Sequence, residues 1–372
     1  MKFLHVSDIH LGKRLHGSSL SEDHAHILAQ MLALAARSDV DAVLIAGDVY
    51  NRSQPQPEAI VQFSRFLTEL AALGKPVFIV RGNHDGEAQL AYAAPLLSAK
   101  GLYFSDVFDG GMQRIDLRDE HGPVSIWLMP YLKPVQVRRF FPEAEIESYA
   151  DAVKTVIEHA QIDPSVRNVL VTHQYVFGAQ VSDSEERSVG GLDQIPAGVF
   201  ADFDYVALGH LHKPQTLDGG RLRYCGAPLV YSFDECSHNK SATIVTVGAK
   251  GEANGFELVP FEPLHPCRRL EGTLEEVIAQ PRSEDYVQVL LTDKVRPLDP
   301  VGTLRLTYPN LMNLQFAEIS GEGGAEAVAV NVQSVDPIDH FIEFYTAQNK
   351  QPPTEEQLEI IREIIREGGN DA

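Results

Sequence analysis

Five short apolar runs in this sequence each end in side chains that bind divalent cations. Asp8 and His10 follow Lys2–Val6, Asp48 follows Asp41–Ala46, and Asn83, His84 and Asp85 follow Pro76–Val80. His173 follows Asn168–Thr172, and His210 and His212 follow Tyr205–Leu208. Taken singly, each has an ordinary explanation. Asp-x-His, Gly-Asp and Asn-His-Asp are turn sequences, and a lone strand-end histidine is most simply a hydrogen-bonded one. Only His-x-His, whose rings share one face of an extended chain, leans toward a metal. All five in order leave little room for coincidence.

Active sites of open α/β sheets lie beyond the carboxyl ends of the strands. Strands that share a sheet would therefore bring these tips to one place. The donors are oxygen and imidazole without thiolate, which suits Mn²⁺, with Mg²⁺, Fe²⁺ and Zn²⁺ as alternatives. Seven candidate ligands (Asp8, His10, Asp48, Asn83, His173, His210 and His212) are too many for one ion and suit two. Two ions about 3.5–4 Å apart clamp phosphate oxygens, lower the pKa of water and stabilise a leaving oxygen. The chemistry indicated is phosphate-ester cleavage.

The elements that must position these residues are legible in the hydrophobic pattern. A helix follows from about Ser21, with Ser21-Glu22-Asp23 as its cap and acidic first turn. A second spans Glu58–Leu73, stopped by Gly74 and Pro76, and a third spans about Glu87–Leu97. Strand, helix, strand, helix, strand predicts a parallel sheet with crossover helices. Short β-like runs between Leu102 and Tyr131 read as antiparallel or mixed additions. Glu147–Ala160 reads as helix, and Arg221–Leu229 and Ala242–Val247 as late strands closing a second layer.

Pro260, Pro263 and Pro266 mark a boundary. Beyond it, Arg268–Phe316 reads as a compact α/β segment with a helix at Leu274–Ile278 and strands at Tyr286–Leu291 and Thr303–Tyr308. Gly321–Gly324 reads as a loop. Two terminal helices follow. One is headed by Asp336-Pro337, and the other by the capping box Thr354–Gln357, with Leu358, Ile361 and Ile365 along one face.

Composition narrows the class. Of 372 residues, 44% are hydrophobic and 22% charged, which fits a globular chain of two or three domains. No run reaches the ~18 apolar residues of a membrane span, and Asp8 and His10 interrupt any signal-peptide core. The expected location is cytoplasmic, without membrane association. Three cysteines without CxxC spacing fit reduced thiols rather than a disulfide scaffold or zinc ribbon. The net charge of −21 argues against a free-standing, charge-driven nucleic-acid binder, but not against a nucleic-acid enzyme whose ions or basic partner supply positive charge.

The order DxH, GD, GNHD, H, GHxH resembles the calcineurin-like metallophosphoesterase superfamily. MKFLHVSDIHLGK, AGDVYNRSQP and RYCGAPLVYSFDEC further resemble its double-strand-break repair nucleases, the bacterial branch that works with SbcC-type ATPases. The resemblance implies a two-layered β-sandwich flanked by helices, an α/β fold, over residues 1–262. It implies a smaller α/β DNA-capping domain at 263–332 and a C-terminal helix pair at 333–372. Asp8, His10 and His212 would hold one ion, Asn83, His173 and His210 the other, and Asp48 would bridge them. His84 would be no ligand but would stabilise developing charge and act as general acid. Asp85 would orient His84 or serve the loop alone. Arg81 would contact phosphate or simply be solvated. The relatives' second active-site histidine is Asn51 here, so its role does not transfer.

The function so implied is a two-metal DNA nuclease, a 3′→5′ exonuclease on duplex ends and an endonuclease on hairpins and single strands. It would belong to an ATP-gated complex of DNA repair, recombination and replication. Its partners would be DNA, an SbcC-type, SMC-like ATPase docked on the terminal helices, and a second copy of this chain. The homodimer, within a heterotetramer, would pair through the helices at 58–73 and 87–97, although covering the sheet alone explains their apolar residues. The alternatives are a small-substrate phosphodiesterase or phosphatase on the same fold, and a non-catalytic protein-binding scaffold.

Overall fold

The computed structural model describes residues 1–317 apart from 88, 89, 91, 183 and 186–192, together with 345, 352–354 and 357–359. Residues 1–317 form one compact unit and 318–372 a second. In chain order the main elements begin with β1 Lys2–Val6, α1 Ser21–Ala35, β2 Ala42–Ala46, α2 Pro57–Ala72, β3 Val77–Val80 and β4 Leu102–Phe104. Next come β5 Gln113–Asp119, β6 Gly122–Met129, α3 Tyr149–His159, β7 Arg167–His173, β8 Tyr205–Gly209, β9 Gln215–Leu217 and β10 Leu222–Tyr224. The remainder are β11 Ser241–Thr246, β12 Gly255–Pro260, β13 Cys267–Gly272, α4 Leu274–Ile278, β14 Tyr286–Leu291, α5 Pro300–Thr307 and β15 Leu311–Phe316.

Two six-stranded sheets face each other, ordered β12-β11-β1-β2-β3-β4 and β9-β10-β8-β7-β6-β5. The alternation of side chains along a strand explains the layering. Phe3, Leu44, Ala46, Phe78 and Val80 of the first sheet meet Ile126, Leu128, Val169, Val171 and Ala207 of the second. The intervening Leu4, Val6, Val43 and Ile45 face α1 and α2. Leu170, Val206 and Leu208 face Ala152, Val153 and Val156 of α3. This is the expected two-layered sandwich flanked by helices. Strands β1 to β4 are mutually parallel, as are β6, β7, β8 and β10. The run at 102–131 divides: β4 extends the first sheet, and the antiparallel pair β5–β6 belongs to the second.

A third, three-stranded parallel sheet, β13-β14-β15, carries α4 and α5 and its own core of Val277, Val287, Val289, Leu291, Leu304 and Tyr308. It is tied to the first sheet's helices by Asp23 of α1. That buried carboxylate accepts from the Tyr286 hydroxyl at 2.7 Å and lies 3.0 Å from His265 Nδ1.

Several expectations are corrected. Residues 303–308 are not a strand. Asp299 caps α5 by accepting from Gly302 N, with Pro300 at the first helical position, and the strand follows at Leu311. The strand expected over 221–229 covers only Leu222–Tyr224. Gly226, at φ +81°, turns the chain where a Cβ would lie 2.7 Å from His212 O. Within 87–97 the expected single helix is interrupted: Glu87 and Leu90 are helical, Ala93 adopts φ +61°, and a separate helix runs from Ala94 to Ser98, with 88, 89 and 91 outside the described residues. Ser21 does not cap α1. Its hydroxyl donates to Glu58 of α2 instead.

At the C-terminus, Thr354 and Gln357 exchange the capping-box bonds. Asp336-Pro337, Ile361, Ile365 and the Gly321–Gly324 loop lie outside the described residues. Among the described residues, no helix is long and apolar enough to cross a membrane.

Candidate metal centre

The five predicted tips converge. β1, β2 and β3 bring Asp8, His10, Asp48 and Asn83 from one sheet, and β7 and β8 bring His173, His210 and His212 from the other. The backbone closes the junction between the first two motifs: Asp8 N donates to Gly47 O at 3.0 Å, and His10 N to Asp48 O at 2.9 Å. The two sheets meet so tightly here that a Cβ on Gly209 would fall 1.8 Å from Ala46 O and 2.7 Å from His173 Nδ1. One on Gly82 would fall 2.0 Å from Asp48 Oδ1.

The backbone is strained where the ligand candidates sit. Asp8, His10, Asp48 and His210 all have positive φ, at 52°, 48°, 49° and 102°. Such conformations cost about 1–3 kcal/mol each and persist where the surroundings over-determine them. Asp8 shows how: its two carboxylate oxygens accept the His210 N–H at 3.0 and 3.2 Å, tying one strained residue to another across the sheets.

The side chains form a buried shell. His10 Nε2 lies 3.2 Å from His212 Nε2 and 3.6 Å from Asp48 Oδ2. His173 Nε2 lies 3.3 Å from Asp48 Oδ2 and 3.0 Å from Asn83 Oδ1, and His210 Nδ1 lies 3.2 Å from the same Asn83 oxygen. Donor atoms within 4.8 Å of one another occur in the triads Asp8–His10–His212, Asp8–Asp48–His173 and His10–Asp48–His84. All seven predicted ligands are thus brought together, with Asp48 shared between triads.

The protonation states of His10, His210 and His212 suit cation binding. Burial keeps His10 neutral and lowers His210 to about 3 and His212 to about 4, leaving nitrogen lone pairs available. Burial would raise Asp48 as well, but His173, by charge and hydrogen bond, together with His10 and His84 outweighs it and holds the carboxylate well below its usual range. Burial likewise opposes the charge on His173, yet Asp48 prevails and raises that imidazole to about 9. Burial lifts Asp8 to about 7, opposed by His173 and reinforced by Asp48. Oxygen and imidazole donors, two of them carboxylates, fit a pair of hard or borderline divalent ions.

Distance alone does not separate His84 from the ligand histidines, but exposure does. Its side chain is 19% exposed, against 0–3% for His10, Asp48, His173 and His212. Its Nδ1 faces the backbone oxygen of Asn51 at 3.2 Å, so position 51 touches His84 through its main chain. The Asp85 carboxylate accepts the backbone N–H groups of Val49, Tyr50 and Gly82, bonds that serve the loop. Arg81 is not solvated. It is buried and donates to Tyr131 O at 2.9 Å, bracing β3 against the residues after β6.

Several residues in the site were not anticipated, among them Tyr131, Glu235 and Ser184. Tyr131 stacks on His210 with ring centroids 6.2 Å apart. Glu235 and Ser184 contact His212. Tyr131 falls just beyond a strand, as the ligands do, which was its one visible signal.

The model of the calcineurin-like phosphoesterase family matches residues 1–214. A model described as the type 5 capsule protein repressor C-terminal domain matches residues 263–349. A curated relative from Staphylococcus epidermidis, the SbcD component of the nuclease SbcCD, is 29% identical over 98% of this chain and 98% of its own. A solved dimetal phosphatase from Danio rerio aligns at 12% identity with a TM-score of 0.38, over 70% of this chain and 99% of that one.

Proposed function

We propose, from the premise that this chain belongs to the calcineurin-like phosphoesterase family, that it is a two-metal-dependent DNA nuclease. The observation that carries the reading is a largely buried cluster of carboxylate, amide and imidazole donors with one partly exposed histidine, His84, beside it. The choice of DNA as substrate rests on the full-length similarity to the staphylococcal nuclease component and on the separate match over 263–349.

Asp8, His10 and His212 would hold one divalent ion, Asn83, His173 and His210 the other, with Asp48 between them. When bound, the ions supply Lewis-acid polarisation of the phosphodiester and activation of water. The protein does the rest. The buried shell fixes the ligands before substrate arrives. His84, whose Nε2 lies 3.9 Å from Asp48 Oδ2, would stabilise charge on the phosphate and donate a proton to the departing sugar oxygen. Asp85 holds the 48–50 and 82 backbone so that this geometry is kept.

The reading extends to organisation. Residues 1–262 form the nuclease domain, 263–332 cap the DNA, and 333–372 dock on an SbcC-type, SMC-like ATPase. The active species is a homodimer within a heterotetramer, with 3′→5′ exonuclease and hairpin or single-strand endonuclease activity and Mn²⁺ as the metal. The test is cleavage of an end-labelled duplex and a hairpin in Mn²⁺, with and without the ATPase, beside hydrolysis of a chromogenic phosphodiester. Cleavage of DNA supports the reading. Turnover of the small ester alone replaces it with a small-substrate phosphodiesterase.

A further inference from the structure

We propose that Glu235 is a positioning residue for the metal centre, fixing the tautomer and orientation of His212; this rests on the reading of His212 as a ligand. Glu235 lies in the turn Phe233–Ser237, between β10 and β11, and belongs to none of the five strand-tip motifs. Its side chain is 0% exposed, and a carboxylate is not left in such a place without compensation. Lys240 supplies it: the Nζ pairs with Glu235 Oε2 and donates to His212 O at 3.1 Å. The other carboxylate oxygen, Oε1, lies 3.1 Å from His212 Nδ1 and accepts from the Ser184 hydroxyl.

The hydrogen-bond inventory then determines the ring. With the Lys240 ammonium against it, Glu235 is a charged carboxylate and can only accept. The contact to His212 is made only if Nδ1 carries the proton. Ser184 Oγ also lies 2.6 Å from Nδ1, and with its own proton on Glu235 it too is an acceptor there. The lone pair of His212 is then on Nε2, which lies 3.2 Å from His10 Nε2 and within the cluster that includes Asp8. One lysine–glutamate pair thus pins both the backbone carbonyl and the ring of the same residue.

The other imidazoles differ. His173 Nδ1 is held by the backbone oxygen of Ala46 at 2.9 Å, while His10 Nδ1 is buried without a hydrogen-bond partner. His212 is therefore the imidazole of the cluster backed by a carboxylate among the described residues. Such a partner fixes the ring and raises its basicity toward a metal. Stability is a poor reason to keep the pair, because a buried ion pair gains little over apolar packing of the same volume.

The experiment titrates metal-free protein with Mn²⁺ by calorimetry in wild type, Glu235→Gln, Glu235→Asp and His212→Ala. It also reads histidine ring tautomers by ¹⁵N NMR of the metal-free chain. Glu235→Gln should weaken one ion about 10- to 100-fold and leave the other unchanged, with Glu235→Asp restoring part of the loss. Wild-type His212 should show the Nδ1–H tautomer. An Nε2–H tautomer in wild type overturns the inference even if every variant misfolds, as does wild-type binding of both ions by Glu235→Gln. Should His212→Ala keep both ions, the ligand assignment itself fails. Should His212→Ala lose an ion while Glu235→Gln loses none, only the positioning role falls.

Discussion

The backbone N–H of His84 donates to Asp48 Oδ1 at 3.0 Å. The residue proposed as general acid is thus anchored through its main chain by the residue proposed to lie between the ions. Replacing the ring leaves that anchor in place. His84→Ala should therefore bind both ions with near wild-type affinity and lose about 10²–10⁴-fold in cleavage rate. Paired metal titration and single-turnover cleavage check this, and loss of both ions would refute the division of labour.

Asp48→Ala should behave differently. It removes the carboxylate shared between triads, the acceptor for His84 N–H and the counter-charge of His173. Both ions should weaken together in a calorimetric titration. Two fully occupied sites in this variant would contradict the bridging role.

The His173–Asp48 pair sets a pH dependence. The His173 imidazole, lifted by Asp48 against the effect of burial to about 9, carries a proton in the metal-free chain at pH 7. A ligand nitrogen must give that proton up. Mn²⁺ affinity should rise with pH until about 9, and binding at pH 7 should release at least about one proton. Calorimetry in two buffers of different ionisation enthalpy counts it, and no released proton would be inconsistent with His173 as a ligand. The sign is opposite for metal-free stability. A folded pKa above the ordinary value of 6.5 gives a contribution fully present below 6.5 and lost as pH rises through about 9.

Gly82→Ala tests the close packing under the site. The added Cβ would meet Asp48 Oδ1 at 2.0 Å and Asp48 N at 2.5 Å, so Asp48 must move. The expected cost is about 1–3 kcal/mol of stability, with reduced affinity for both ions. Thermal unfolding with and without Mn²⁺ reads both. An unchanged melting temperature and unchanged binding would show that the contact is not as close as described.

Tyr286→Phe isolates the link between β14 and the helix-covered sheet. It removes the donor to buried Asp23 while keeping the ring. Unfolding should show a loss of about 1–3 kcal/mol, the usual result of leaving a buried acceptor short of a partner. Mn²⁺ binding should not change, since Asp23 is outside the donor triads.

What could be read from sequence was the part governed by local rules. Strands β1, β2, β3, β7 and β8 are apolar runs that stop at ligand-bearing turns, so both the elements and the site residues were visible. In α5, Thr303, Arg305 and Thr307 alternate with apolar neighbours as they would in a strand, but the Asp299-Pro300 cap decides for helix. Glu235 was out of reach for a different reason. It lies 23 residues from His212, inside the RYCGAPLVYSFDEC segment but at no ligand-bearing strand tip, and only the tertiary fold places its carboxylate against that ring. Arg81 likewise was buried by a partner, Tyr131 O, 50 positions away.

The most direct test of the two-ion centre is a crystal structure of the protein soaked in Mn²⁺, with anomalous scattering locating the ions. Two peaks are predicted, one contacted by Asp8, His10 and His212, the other by Asn83, His173 and His210, with Asp48 reaching both and His84 reaching neither. A single peak, or His84 bound directly to an ion, would contradict the account.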